Sequence, residues 1–224
     1  MMPTSTERPS LRERKKLATR RLLQRTALEL VARQGYANVT VEDIAEAAEI
    51  SPRTFFNYFP SKEAALFGFD PEREEALRQR LVDQPATLSP LDALRAVFVE
   101  EVCTLSHELG ELGGDAATWL RRMKEAQGDP QVMAARAAHA AKMERALAAG
   151  LAERMGVGEE DPYPVLAVSA AMGAMRAAMR MWAQLGETIE LAALVDAAFR
   201  ALGQGLPPDC LKELVNGKRK GRSR

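Results

Sequence analysis

Two helix-start signals stand close together in residues 40–63, and their spacing constrains the fold more than any other feature of the chain. Thr40 precedes Asp43 by three positions, so its hydroxyl can accept a hydrogen bond from the Asp43 amide, in a variant of the capping box. Ser51 is a second helix cap, and Pro52 follows at the first helical position, where its missing N–H costs nothing. The stretch therefore predicts two short helices joined by a tight turn.

The second of these helices has one apolar side and one open side. Phe55 and Phe59 are four residues apart and can pack inward. The residues left on the open side are Pro52, Arg53, Phe56 and Asn57. Arg53 carries a donor fork suited to guanine, and Asn57 can pair with adenine. Lys62 opens a third helix, whose start suits a phosphate oxygen. This pattern predicts a helix-turn-helix that reads a DNA major groove.

Many positions around this motif agree with one known pattern. They are Thr40, Ile44, Ala45, Ala48, Ser51, Thr54, Phe56, Phe59, Lys62, Glu63 and Leu66, preceded by LLQRTALELVARQGYANVT in residues 22–40. In order and spacing, residues 15–68 resemble the amino-terminal domain of TetR-type transcriptional regulators. With the resemblance, the residues that we expect at double-stranded DNA are Thr40, Ser51, Pro52, Arg53, Thr54, Phe56, Asn57, Tyr58 and Lys62.

Two positions depart from the family pattern. Glu49 lies in the turn where the family usually has glycine, so a residue with a side chain is expected in a left-handed conformation there. Phe56 replaces the tyrosine that most often touches a phosphate, and it has no hydroxyl to donate. Tyr58 could supply that hydroxyl, or Phe56 could pack against a sugar or a thymine methyl.

Composition favours a globular chain. With 224 residues and 46% hydrophobic residues, it can form one large domain or two small ones. No uninterrupted apolar stretch is long enough to span a membrane, and the first residues lack the apolar segment of a secretion signal, so we expect a cytoplasmic protein. Cys103 and Cys210 are too few for a disulfide framework, and reduced thiols are expected.

The charges are unevenly placed, although the formal net charge is zero. Residues 8–25 hold eight basic residues and one acid, a local charge of +7, and residues 212–224 hold six basic residues and one acid, a local charge of +5. The rest of the chain is therefore acidic. A basic first segment that leads into the helix-turn-helix fits phosphate binding, whereas the basic tail fits a solvated, disordered end better.

The pattern beyond residue 66 stays helical, which predicts an all-α protein. The expected domains are a flexible basic extension (1–14), the DNA-binding domain (15–68), a helical effector-binding and dimerisation domain (69–206) and a disordered basic tail (207–224). The expected later helices lie near residues 62–83, 91–109, 115–127, 130–155, 163–185 and 188–204. The first of these would join the two domains and act as a lever.

The last two helices are apolar on broad faces, which favours a homodimer through a four-helix bundle. The resemblance places the dimer contact there as well. The expected interface residues are Val168, Ala171, Ala178, Leu191, Leu194, Val195 and Phe199. The alternative is that both helices belong to the core of a monomer. Two copies would place reading helices about 34 Å apart, one DNA turn, on a near-palindrome.

A second apolar group is predicted to line a pocket for a small-molecule effector. Its members are Phe98, Val102, Cys103, Trp119, Met123, Met143, Met172, Met175 and Met179. Methionine fills irregular shapes, which suits an adaptable lining, although ordinary core packing is the alternative. The resemblance implies that effector binding here releases DNA, and a largely apolar effector is expected.

Catalysis finds little support in the sequence. Cys103 and His107 stand one helical turn apart, but the sequence provides no further ligands for a metal and no known catalytic motif. We therefore expect no enzyme, cofactor or metal. A thiol-sensing regulator through Cys103 and an architectural DNA-binding protein without an effector remain alternatives.

Overall fold

The computed structural model describes residues 11–67, 71–111, 130–158, 160–185 and 189–207. Within these ranges all regular structure is helical, which confirms the all-α prediction. The α-helices are α1 (Leu11–Gln34), α2 (Val41–Ala47), α3 (Pro52–Phe56), α4 (Lys62–Phe67), α5 (Pro71–Val82), α6 (Pro90–Glu111), α7 (Pro130–Met155), α8 (Pro162–Leu185) and α9 (Leu191–Gly203). A short 3-10 helix, Tyr36–Asn38, lies between α1 and α2.

The chain divides into two compact units: Met1–Asp70 with Glu125–Ala135, and Pro71–Lys124 with Arg136–Arg224. In the first unit, α1 begins at Leu11, so the last residues of the predicted flexible extension are helical. Residues 1–10 and 208–224, which include the ends predicted to be flexible, lie outside the described residues, and so does the predicted helix 115–127.

The first unit is built on one face of α1. Leu23, Ala27, Leu30 and Val31 are buried there, as their helical spacing predicts. The helix ends at Gly35, whose φ of 82° suits glycine, and the Gly35 amide still donates to the Val31 carbonyl at 2.9 Å. Apolar residues from the later elements complete this core, namely Tyr36, Val39, Ile44, Ala45, Ala48, Phe55, Phe59, Ala64, Ala65 and Leu66.

The helix predicted over residues 62–83 is described in two parts. These are α4, Lys62–Phe67, and α5, Pro71–Val82, and residues 68–70 between them lie outside the described residues. A single continuous helix that acts as a lever therefore stays a prediction.

In the second unit, α9 packs against both α8 and α6. The rings of Phe98 in α6 and Phe199 in α9 lie 5.4 Å apart between centroids. At the edge of the same packing, Arg95 Nη1 donates to Asp196 Oδ1 at 2.5 Å. The apolar faces of the last two helices are thus covered by their own chain.

This packing involves the residues of the predicted dimer interface, which stays a prediction. The seven residues expected there, Val168, Ala171, Ala178, Leu191, Leu194, Val195 and Phe199, are all buried in the core of a single chain. In the single chain, these side chains contact their own core. The large apolar side chains that α8 exposes are different ones: Tyr163, Val165 and Leu166.

Candidate nucleic-acid interface

The first helix of the motif, α2, begins at the predicted cap. Thr40 Oγ1 accepts from the Asp43 amide at 3.1 Å, and the Asp43 carboxylate accepts from the Thr40 amide at 2.8 Å, so the capping box is complete. The side-chain and backbone hydrogen bonds from Thr40 lower the pKa of Asp43, because they stabilise the charged carboxylate. The start of α2 is therefore fixed by residues within one turn.

The turn between α2 and α3 has the geometry of a Schellman motif. The Ile50 amide donates to the Ala45 carbonyl at 2.9 Å, and the Glu49 amide donates to the Glu46 carbonyl at 3.0 Å. Glu49 occupies the left-handed position with φ of 56°, as expected for the residue that stands in place of glycine. The turn therefore keeps the geometry that glycine would favour, with a non-glycine residue in a costly conformation.

The second helix, α3, has only five residues and depends on its surroundings. Ser51 Oγ accepts from the Thr54 amide at 3.0 Å, and Pro52 occupies the first turn. Phe55 and Phe59 are fully buried. An isolated helix of this length is unstable in water, so these two rings and the cap hold it in place.

The opposite side of α3 is open to solvent. Arg53, Phe56 and Asn57 are exposed, as the sequence predicts. Phe56 is 54% exposed. The planes of the Phe56 and Phe55 rings are perpendicular, and their centroids lie 5.6 Å apart. Of the other residues expected at DNA, Thr40, Ser51 and Pro52 are exposed and Thr54 and Tyr58 are half-buried. This exposed surface offers a guanidinium, an amide and an aromatic ring together.

Lys62, whose role as a phosphate ligand stays a prediction, makes contacts inside the first unit. Its ammonium donates to the Tyr36 carbonyl at 3.0 Å and to the Val39 carbonyl at 2.9 Å. It also lies 3.8 Å from the centroid of the Tyr36 ring. Two of the three N–H groups of the Lys62 ammonium are thus donated to carbonyls inside the first unit.

Arg20 is a residue of this unit that the sequence reasoning missed. Its Nη1 donates to the Tyr58 carbonyl at 2.8 Å, and its guanidinium lies 4.2 Å from the centroid of the Phe59 ring. Arg20 therefore fastens α1 to the chain that follows α3. Its place in a basic run gave no local sign of this contact, since Tyr58 lies 38 residues away.

The residues predicted to line an effector pocket differ in how far they are buried. Phe98 and Val102 are buried in the core of the second unit. The methionines Met143, Met172, Met175 and Met179 are partly buried and pack against that core. Cys103 is exposed. Trp119 and Met123 lie outside the described residues.

A groove elsewhere in the second unit has a volume of about 450 Å³. It is lined by Ser89, Leu91, Asp92, Arg95, Phe199, Arg200, Gly203 and Gln204. Its lining includes none of the nine residues predicted for the effector pocket. The two arginines are paired with Asp92 and Asp196, so the groove has little free charge.

The Cys103 and His107 side chains are both exposed on α6. In the ranges that the structure describes, no group of three or more His, Cys, Asp or Glu side chains is arranged to hold a metal ion. Among the same residues, no helix has both the length and the apolar character needed to cross a membrane.

The geometry of the first unit, with a capped helix, a Schellman turn and an exposed reading helix, defines a helix-turn-helix DNA-binding regulator. Residues 23–67 match the family described as bacterial regulatory proteins, tetR family, and residues 88–207 match the family described as MftR C-terminal domain. The transcriptional regulator TcmR of Streptomyces glaucescens is 37% identical over 205 residues, covering 90% of this chain and 88% of TcmR. The chain therefore belongs to the TetR family of transcriptional regulators.

Two further proteins extend the comparison. The regulator MftR of Mycobacterium tuberculosis is 29% identical over 199 residues, covering 86% of this chain and 93% of MftR. FadR from Bacillus subtilis, whose structure was solved in complex with stearoyl-CoA, has 20% sequence identity with this chain. The structural match covers 81% of this chain and 96% of the FadR chain, with a TM-score of 0.50. The likeness to FadR shows a shared fold.

Proposed function

We propose that this regulator is a repressor that binds a near-palindromic operator as a homodimer and leaves it when a small, largely apolar effector binds. The observation that carries the DNA-reading part is the surface of α3. Arg53 and Asn57 are exposed there, while Phe55 and Phe59 hold the helix from behind. Bidentate contacts from arginine to guanine and from asparagine to adenine are the contacts by which such helices read bases.

The homodimer is supported by the mechanism and by the surface of α8. One five-residue helix reads too few bases for tight binding, and two copies one DNA turn apart double the contacts. The exposed Tyr163, Val165 and Leu166 give α8 an apolar surface on which a second copy could pack. We propose this surface, instead of the buried faces of α8 and α9, as part of the dimer contact.

The effector part is supported by the adaptable lining of the second unit. Four methionines are partly buried beside its core, and thioether side chains adjust to irregular apolar ligands. FadR, which shares the fold, was solved with stearoyl-CoA, so fatty acyl compounds are the first class to test. An effector must bind more tightly to the DNA-free state, and a coupling of about 1–3 kcal/mol changes DNA affinity about 5- to 150-fold.

Two further expectations follow from this role. A regulator of bacterial genes acts where the chromosome is, so we propose a cytoplasmic location. We also propose that the chain has no enzymatic activity: exposed Cys103 and His107 lie on the surface of α6, whereas a catalytic pair is usually set in a cleft.

The test is a mobility shift with DNA from upstream of the protein's own coding sequence, at about 150 mM salt, where non-specific binding is weak. The variant Arg53→Ala/Asn57→Ala removes the two proposed base contacts. A matched variant, Arg145→Ala/Gln79→Ala, removes an exposed arginine and an exposed glutamine from the second unit. Wild type and the matched variant should bind tightly, and the α3 variant should lose preference over scrambled DNA.

Equal binding to upstream and scrambled DNA by the wild type would contradict a sequence-specific role. Once a complex is obtained, fatty acids and acyl-CoA compounds of increasing chain length are added to it. Release that rises with chain length supports the effector proposal, and a complex unaffected by the whole series would contradict an acyl effector.

A further inference from the structure

The ammonium of Lys62 is enclosed by one short segment of the chain. Two carbonyls, those of Tyr36 and Val39, accept its protons at 3.0 and 2.9 Å, and the face of the Tyr36 ring covers it at 3.8 Å. Hydrogen bonds from a charged donor are among the stronger ones in proteins, and the ring adds a cation–π attraction. These three contacts hold the side chain against the segment that links α1 to α2.

The next residue of α4 makes a second link to the same segment. The buried Tyr36 donates its hydroxyl to the Glu63 carboxylate. Burial raises the pKa of Glu63, but hydrogen bonds from Tyr36 and Ser61 and the neighbouring Lys62 outweigh it, so the pKa lies below its ordinary value. Glu63 is therefore charged at neutral pH and accepts from Tyr36 as a carboxylate. Two neighbouring residues in the first turn of α4, Lys62 and Glu63, thus both contact Tyr36.

The segment that Lys62 and Glu63 contact leads directly into the helix-turn-helix formed by α2 and α3. Val39 is followed by Thr40, the cap of α2, and α2 is joined to α3 by the Schellman turn at Glu49. A Schellman turn leaves little freedom between two helices, because both of its amides are bonded. A shift of the segment at Val39 would therefore move the start of α2, and α3 with it.

We propose that Lys62 is a positioning residue for DNA reading, which sets the place of α2 and α3 through the Tyr36–Thr40 segment, and that it is not a phosphate ligand. The proposal rests on the proposed DNA-reading role of α3. It assigns to Lys62 a contribution to affinity without a contribution to counterion release.

Salt dependence separates the two roles. Each phosphate neutralised by a lysine adds about 0.9 to the slope of log K against log salt. The test measures binding of wild type and Lys62→Met to the upstream DNA fragment between about 50 and 300 mM salt. Lys142→Met, which removes an exposed lysine of α7 in the second unit, is the matched control for loss of one charge. We expect Lys62→Met to bind about tenfold more weakly at every salt concentration with an unchanged slope.

Amide hydrogen exchange separates positioning from general loss of structure. All variants are compared at a temperature where thermal unfolding shows them to be folded. Lys62→Met should speed exchange at Asp43 and Ile44, whose amides donate to the Thr40 hydroxyl and carbonyl in the first turn of α2, and leave the buried face of α1 unchanged. Non-additive effects of Lys62→Met and Tyr36→Leu on DNA affinity should follow, because the two side chains act as one contact.

A slope lower by about 0.9 in Lys62→Met would overturn the proposal in favour of a phosphate contact. Unchanged affinity, or exchange that speeds equally throughout the first unit, would overturn it as well. Failure of the wild type to bind the fragment is a different result, because it would count against the proposed function itself.

Discussion

The guanidinium of Arg20 lies over the ring of Phe59, 4.2 Å from its centroid, and donates to the carbonyl of Tyr58 at 2.8 Å. This contact joins the basic first helix to the end of the reading helix. Arg20 belongs to the basic run of residues 8–25, and its contacts with Tyr58 and Phe59 hold the helix-turn-helix together.

Replacing Arg20 by methionine should therefore lower stability. We expect the free energy of unfolding to fall by about 1–3 kcal/mol, because a charged hydrogen bond and a cation–π contact are lost. Urea unfolding followed by circular dichroism measures this change. Arg25→Met is the control in the same helix: Arg25 has only an exposed ion pair with Glu29 at 4.0 Å, so we expect a change below about 0.5 kcal/mol. Equal losses in both variants would contradict a special role for Arg20.

The capping box predicts a local dependence on pH. The pKa of Asp43 is lowered from 3.8 in the folded protein, so its hydrogen bonds with Thr40 add stability above that value and lose it as the pH falls below 3.8. The stability difference between wild type and Asp43→Asn should therefore be largest near neutral pH and shrink in acid. Urea unfolding of both proteins from about pH 6 to about pH 3 measures it.

The second cap supplies a control for this pH dependence. Thr40→Ala and Ser51→Ala should each cost about 1 kcal/mol near neutral pH. The cost of Ser51→Ala should stay constant in acid, because its cap uses the Thr54 amide and no carboxylate. A difference between wild type and Asp43→Asn that stays constant with pH would show that the Asp43 carboxylate does not support the helix start.

The left-handed position in the turn predicts a stabilising substitution. Glu49→Gly should raise the free energy of unfolding by about 0.5–1 kcal/mol, because relief of the left-handed strain exceeds the entropy that glycine adds to the unfolded chain. Glu49→Ala removes the same charge but keeps a side chain at positive φ, so it should give no such gain. Thermal unfolding of the two variants compares them directly, and equal melting temperatures would argue against strain at this residue.

One buried and one exposed leucine in the second unit allow core packing and surface contact to be tested separately. Leu194 is 1% exposed and Leu166 is 68% exposed. Leu194→Ala should cost about 2–5 kcal/mol of stability, as for other buried leucines, whereas Leu166→Ala should change the stability of the isolated chain by less than about 0.5 kcal/mol. If the exposed face of α8 contacts a second copy, Leu166→Ala should also weaken association, which sedimentation at several concentrations measures. Weaker association in Leu194→Ala alone would point to the originally expected interface.

The parts of the fold that the sequence predicted are those set by near neighbours. The caps at Thr40 and Ser51 and the left-handed Glu49 depend on residues within five positions, so their patterns are readable directly. The contacts of Lys62 and Arg20 are different, because they reach 26 and 38 residues along the chain. Nothing in their local sequence distinguishes such lysines and arginines from phosphate ligands.

The dimer interface stays a prediction for a different physical reason. Helical periodicity showed correctly that Leu194 and Val195 need cover, but it does not tell whether the cover comes from the same chain or from another copy.

The separation of buried and exposed side chains on α3 affects how this protein can change over evolutionary time. The rings that hold the helix, Phe55 and Phe59, are buried, and the side chains proposed to read DNA, Arg53 and Asn57, are exposed. Under the proposed function, a mutation at an exposed position alters the preferred DNA sequence with little effect on folding. Duplicated copies of such a gene can therefore acquire new target genes one substitution at a time, each through a stable intermediate.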